Sequence, residues 1–213
     1  AGHKTILNLL RPSSIIGIIS AGMTFVIISG NFDISVGAVA ALSGAVIMKL
    51  ATSGVNLFLA MILALAVCGV IGSINGFVVA KIGIPSLITT MAMVSIVKGS
   101  MLMLTGGYPI TETFVVLDAI GNGYLMGIPV PVVIFALTVL GAWVVLSKTR
   151  FGRYVYSVGG NADASKLNGI NVDAYKIKVF IINAVLAGLA GIVLGGRGGP
   201  PPPAAPVGNC KDA

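Results

Sequence analysis

Six long apolar stretches dominate the chain: Ser14–Ser29, Val36–Leu50, Leu57–Ala80, Ser86–Leu104, Val130–Leu146 and Ile177–Leu194. About 20 such residues suffice for a helix to cross the hydrocarbon core of a bilayer. The stretches are continuous, without the in-and-out alternation that the strands of a membrane barrel require. They predict an all-α fold: a polytopic transmembrane helix bundle with about six membrane segments. The second stretch is short for a crossing, and it starts directly after the polar run Gly30-Asn31-Phe32-Asp33-Ile34-Ser35. It is expected to be tilted, re-entrant or stacked on a neighbour, because irregular backbone at membrane depth is tolerated where protein buries it.

Composition agrees. Hydrophobic residues make up 56% of the chain and charged residues 9%, whereas soluble domains carry about 25% charge. Too little polar side chain is present to cover a water-facing surface. The net charge of +7 does not point to nucleic acid, because the basic residues cluster between the apolar stretches, as juxtamembrane Lys and Arg do. Of the two cysteines, Cys68 lies inside an apolar stretch and Cys210 in the tail. Neither a pairing nor a metal-ligand spacing follows, and Cys68 reads as a small hydrophobe in a helix interface.

Lys and Arg also set the orientation. The loop Ser147–Lys178 carries Lys148, Arg150, Arg153, Lys166, Lys176 and Lys178, so it is expected in the cytoplasm. The loop Thr105–Pro129 carries no Lys or Arg and fits the outer side. Counting back puts Lys81 inside and the turn Lys49–Asn56 outside. If the first two stretches both cross, residues 1–13 lie outside with Lys4 and Arg11. The preferred resolution is a further membrane helix upstream of Ala1; the rival is a re-entrant second stretch.

Small residues point to helices packed on one another. Gly72 and Gly76 form one GxxxG pair, Gly191 and Gly195 another, with Ala184 and Gly188 on the same helix. Such residues let backbones approach where lipid offers no hydrophobic drive for association. The end reads differently: Gly195–Gly199 leads into four prolines, Pro200–Pro203, which cannot continue a helix. The expected organisation is a membrane domain over 1–195, incomplete at both ends, and a disordered Pro/Gly-rich tail over 196–213.

The chain offers little for catalysis. His3 has no partner, paired carboxylates and nucleophile motifs are missing, and Gly195–Gly199 lacks the Gly-Lys-Ser/Thr that cradles phosphates. No metal, ATP or magnesium is expected on this chain. Two polar stretches carry more information. Asn31, Asp33, Ser35 and Gly37 interrupt the helices at a depth where an ionisable group is a functional candidate. The plainer role for Asp33 or Ser35 is to cap the helix that begins near Val36. In the basic loop, Gly159-Gly160-Asn161 and Gly169-Ile170-Asn171 bracket a short potential helix with Ala164 and Leu167 on one face. It is either an ordinary anchoring loop or a helix that docks into a partner's groove.

At these two stretches the chain resembles the permease subunits of ribose- and xylose-type monosaccharide ABC importers. The family's loop Gly-Ile/Phe-Asp-Leu/Ile-Ser-Val-Gly is matched by Asn31–Gly37, with Asn31 at the usual glycine. Its second motif is matched in order and spacing by Thr149–Arg153, Gly159–Asn161 and Gly169–Asn171, and Gly22-Met23-Thr24 and Asn75-Gly76 also fit. The resemblance covers about residues 5–195.

It implies a multi-pass subunit of the bacterial plasma (inner) membrane, moving a ribose-like sugar across the bilayer. The implied partners are a cytoplasmic ATP-binding subunit that carries ATP and magnesium, a second permease chain as a homodimer, and an extracytoplasmic sugar-binding protein. Arg150, Gly152, Arg153, Gly159, Gly160, Asn161, Ala164, Leu167 and Gly169 then form the ATPase-coupling loop. Asn31, Asp33, Ser35 and Gly37 mark the pathway or helix break, and Gly72, Gly76, Gly188, Gly191 and Gly195 the helix packing. Family members have a helix before the first stretch and several after the sixth. A branched-chain amino acid permease is the related alternative, and a secondary transporter or channel the different one. The latter needs intramembrane charges, of which Lys98 is the main example.

Overall fold

The computed structural model describes residues 2–108 and 114–197. Glu112, Cys210 and the Pro/Gly-rich stretch from residue 198 onward, as well as the side chains of His3 and Lys4, lie outside the described residues. The chain runs α1 (Gly2–Ile28), α2 (Val36–Thr52), α3 (Leu57–Phe77), a π-helical turn (Val78–Ile82), α4 (Ser86–Thr105) and α5 (Val115–Asn122). A two-residue hairpin, β1 (Tyr124–Leu125) and β2 (Ile128–Pro129), leads to α6 (Val130–Lys148), α7 (Arg150–Gly160), α8 (Ala162–Leu167) and α9 (Val172–Gly195). Among the described residues, five stretches are long and apolar enough to cross a membrane: Leu9–Ile28, Leu57–Ile82, Ser86–Thr105, Val130–Lys148 and Val172–Gly195. The expected all-α membrane bundle is what forms.

α9 is the central helix. In its most apolar stretch 56% of residues are buried, against 11–33% in the other four spans. Contacts along its length fix the direction of its neighbours. On α3, Gly76 meets Ile177, Gly72 meets Phe180 and Ala184, and Cys68 meets Gly188, so α3 runs antiparallel to α9. α1 is antiparallel too: Gly22 faces Asn183, while Ile15 and Ile18 pack with Ala190 and Val193. On α2 the order is reversed, for Asp33 just before it bonds Asn183, Ser43 bonds the carbonyl of Gly188, and Gly44 lies beside Gly195. α2 therefore runs parallel to α9 and antiparallel to α1.

That geometry settles the second apolar stretch. α2 is not re-entrant, because its middle, at Gly44, is already beside Gly195 at the end of α9 and it runs on to Thr52. It is short because it starts late, level with Asn183 and thus about halfway along α9. Its 17 residues span about 25 Å at 1.5 Å per residue, less than the roughly 30 Å hydrocarbon core.

The two ends of the bundle differ. At one end lie α7, α8 and the start of α9, with Lys81 bridging to Asp173 at 3.0 Å. At the other lie the 49–56 turn, the hairpin and α5. There Arg11 donates from Nη2 to the carbonyl of Asn122 at 2.7 Å and stacks over Tyr124, 4.7 Å from the ring centre. Asn122 in turn donates to the carbonyl of Gly196 at 3.1 Å, tying α5 to the end of α9. Arg11 and the 49–56 turn thus share the end opposite the basic loop, the arrangement that follows when the first two stretches both cross.

Candidate functional site

The break between α1 and α2 is built from backbone chemistry. α1 closes with the N–H of Gly30 on the carbonyl of Ile27 and that of Asn31 on Val26. Gly30 takes φ +78, the left-handed turn that glycine adopts without steric cost. The next residues alternate: Asn31, Asp33 and Ser35 point into the bundle and are buried, while Phe32 and Ile34 stay 55% and 46% exposed. On the exposed side, the N–H groups of Phe32 and Ile34 donate to Ser86 Oγ at 3.0 Å and Thr90 Oγ1 at 3.2 Å. One turn of α4 thus substitutes for the ladder that this extended segment would otherwise need.

On the inner side the side chains form one network. Asp33 Oδ1 accepts from the N–H of Ser35 at 2.8 Å and from its hydroxyl at 2.5 Å. Asp33 Oδ2 accepts from Asn183 Nδ2 at 2.8 Å, and Ser35 Oγ accepts from Asn75 Nδ2 at 3.1 Å. Asn31 bonds back to the carbonyl and hydroxyl of Ser29 at 3.0 and 3.1 Å. Asp33 is 2% exposed, and Ser35, Asn75 and Asn183 no more than 1%. Neither side chain meets the capping expectation by accepting from an N–H of α2 itself. Ser35 occupies the cap position of α2 without a side-chain cap bond, and Asp33 takes the N–H one residue earlier. Gly37 has open space where a side chain would go.

The packing glycines divide. A Cβ on Gly72 would stand 2.6 Å from the Phe180 carbonyl oxygen, one on Gly76 2.7 Å from Ile177 Cα, and one on Gly188 2.8 Å from Cys68 Sγ. Gly191 lies against the carbonyl of Ala40 more tightly still. Gly195 makes ordinary contacts at 3.7 Å with Gly44 and Leu117. Beside this seam, α2, α4 and α9 leave a groove of about 400 Å³ lined by Ala40, Ala41, Gly44, Met101 and Leu102, with Thr105 and Tyr108 its polar side chains. Lys98 lies on an exposed face of α4.

The basic loop is more ordered than its sequence pattern foretold. Thr149 caps α7, accepting from Gly152 N at 3.2 Å, and Gly152 fits against the carbonyl of Leu146. α7 buries Val155 and Val158; Val155 packs with Phe25, Val26, Val179 and Phe180. Asn161 then caps α8, accepting from Ala164 N at 2.9 Å. α8 ends at Gly169, φ +78, with the N–H of Ile170 returning to Ser165. Ser165 is the buried side of α8, whereas Ala164 faces out and Leu167 is 90% exposed. Arg150, Arg153 and Gly160 are exposed beside it.

Residues 5–209 match the family model described as the permease component of the branched-chain amino acid transport system. The chain belongs to this permease family. It is 39% identical to the ribose import permease of Haemophilus influenzae over 196 residues, covering 90% of this chain and 61% of the relative. Against the ribose import permease of Bacillus subtilis it is 41% identical over 194 residues, 90% of this chain and 60% of the relative. The xylose transport system permease of Escherichia coli is 29% identical over 264 aligned positions, 95% and 67% of the two chains. The chain thus spans about three-fifths of the length of the ribose permeases it matches. No solved structure matches it.

In this chain the two sequence motifs meet. Gly159, near the end of α7, sits directly on the carbonyl of Ile28, the last residue of α1. A Cβ on Gly30 would stand 3.8 Å from the Gly159 carbonyl. The helix break is therefore mounted on the loop that presents α8. α7 was not foreseen, although Gly152, Val155 and Val158 recur every three residues. The partners Asn75 and Asn183 were not singled out as site residues either. The available signal was an amide inside an apolar helix, which must find a bond partner.

Proposed function

We propose that this chain is the membrane-spanning part of the permease subunit of an ATP-driven monosaccharide importer. The observation that carries the reading is α8. It is a capped helix at the basic end, held by α7 against α1 and α9, with Ala164 and Leu167 turned outward. An exposed leucine on a rigid short helix is suited to a groove on a partner, and the surrounding Lys and Arg put that partner in the cytoplasm. The partner is an ATP-binding subunit. On this reading Arg150, Gly152, Arg153, Gly159, Gly160, Asn161, Ala164, Leu167 and Gly169 form the coupling loop.

Motion of α8 reaches the pathway through the contact of Gly159 with Ile28. The break at Asn31, Asp33, Ser35 and Gly37 lies just beyond that contact, at the start of α2. A second permease chain and an extracytoplasmic solute-binding protein complete the importer, and ATP and magnesium stay on the partner. A monosaccharide is favoured as substrate because relatives matching most of this chain are named ribose and xylose permeases. The family description favours a branched-chain amino acid as the second reading.

The test is reconstitution of the intact transporter with its ATP-binding and solute-binding partners. Uptake of labelled ribose, xylose and leucine is then followed together with ATP hydrolysis. Pentose-stimulated hydrolysis with uptake is the expected result. Uptake of leucine alone replaces the substrate assignment, and uptake without ATP overturns the importer.

A further inference from the structure

Asn183 is the one polar side chain of α9 between Val179 and Gly195. Asn75 occupies the last full turn of α3. Both amides lie in the buried heart of the bundle and both spend their N–H₂ on the break, Asn183 on Asp33 Oδ2 and Asn75 on Ser35 Oγ. Their carbonyl oxygens are buried and accept no hydrogen bond among the described residues. An unpaired buried acceptor is costly, so these side chains are not there as inert core. A leucine at either position would remove that cost but leave Asp33 Oδ2 or Ser35 Oγ without its donor.

We propose that Asn183 and Asn75 are positioning residues of the permeation pathway, acting through Asp33 and Ser35 to hold the start of α2 at mid-bundle depth. The proposal rests on the permease reading above.

Three features support it. The two amides come from different helices, so together they fix the Asp33–Ser35 turn against both α3 and α9. Their bonds reach the two ends of one connected unit, since Asp33 Oδ1 also binds the N–H and hydroxyl of Ser35. The third feature is the space left for Asn183: a Cβ on Gly22 of α1 would stand 2.8 Å from Asn183 Oδ1. The start of α2, the midpoint of α9 and the last third of α1 are thus registered at one point. A shift of α9 against α1 pulls on Asp33 directly, and through it on the exposed Phe32 and Ile34. These asparagines need no contact with the solute to govern its passage.

The experiment uses the intact transporter, reconstituted with its ATP-binding and solute-binding partners, carrying Asn183→Asp, Asp33→Asn, both together, or Asn183→Leu. The double variant restores a carboxylate–amide pair with donor and acceptor exchanged. We expect Asn183→Asp to keep subunit assembly and basal ATP hydrolysis while solute moved per ATP falls at least about tenfold. The double variant should return to within about threefold of the unmodified transporter. Asn183→Leu should assemble and hydrolyse ATP with poor transport. A double variant no better than Asn183→Asp overturns the proposal, and so does an Asn183→Leu transporter with normal coupling. If the unmodified transporter moves no solute, the permease reading fails on its own account. The pairing is then read from the Tm of the purified protein: recovery in the double variant supports the positioning contact, and no recovery overturns it.

Discussion

Gly159 rests on the carbonyl oxygen of Ile28 so closely that no side chain fits between them. This contact joins the end of α7 to the end of α1, and hence the outward-facing α8 to the helix break.

Gly159→Ala should therefore be damaging out of proportion to its size. Inserting a methyl into a closed backbone contact costs about 1–3 kcal/mol. The expected outcome is a lower Tm and reduced coupling of ATP hydrolysis to uptake. Gly160→Ala, where a Cβ meets nothing within 4 Å, is the control for packing and should leave the Tm unchanged.

Along α9, side chains at Gly72 and Gly191 should break the bundle. Gly72→Leu or Gly191→Leu drives a side chain into the backbone of a facing helix, and loss of about 2 kcal/mol or more is expected. Gly141→Leu, in open space on α6, should be tolerated. Thermal unfolding in detergent distinguishes the three. Equal losses in all would show that glycine content, rather than these contacts, sets stability.

Ser86 and Thr90 satisfy backbone groups that no helix can. Removing both hydroxyls, with Ser86→Ala and Thr90→Val, takes the acceptors from the N–H groups of Phe32 and Ile34. The segment from Asn31 to Ser35 should then exchange its amide hydrogens faster, while protection in α9 is retained. Thr90→Ser keeps the acceptor and should behave as the unmodified chain.

Leu167 makes a cleaner functional probe, because at 90% exposure it contributes nothing to packing within the chain. Leu167→Glu should leave the Tm within about 0.5 kcal/mol of stability. Co-purification of the ATP-binding subunit should fall at least about tenfold, in line with the loss of an interface anchor. Full retention of that subunit would remove α8 from the interface.

Hydrophobic runs made most of the fold legible. The stretch Val36–Leu50 became α2 over Val36–Thr52, and Ser86–Leu104 became α4 over Ser86–Thr105. The stretch Ile177–Leu194 missed the first turn of α9, because Asp173 and Lys176 make Val172–Lys176 read as loop. α7 stayed hidden for a related reason. It lies across the bundle end and buries one narrow face, so Arg150, Arg153, Tyr154 and Tyr156 dilute its apolar signal. α5 has the same character, with Leu117 and Gly121 as its buried pair. Asp33 and Ser35 stood out as polar residues between apolar stretches. Their partners did not, because a pairing across 150 residues, as from Asp33 to Asn183, leaves no local trace.

The brevity of α2 has a consequence for biosynthesis. A segment of about 25 Å led by a carboxylate does not partition into lipid on its own hydrophobicity. The groups that complete it, Asn183 and the carbonyl of Gly188, are translated 150 and 145 residues later. At roughly 5–20 residues per second that delay is on the order of ten to thirty seconds. During it, Asp33 has no amide from α9 and remains near the headgroups or the insertion machinery. The bilayer therefore receives α2 only once α9 has been made, and a ribosome stalled before α9 should leave it stranded at the surface.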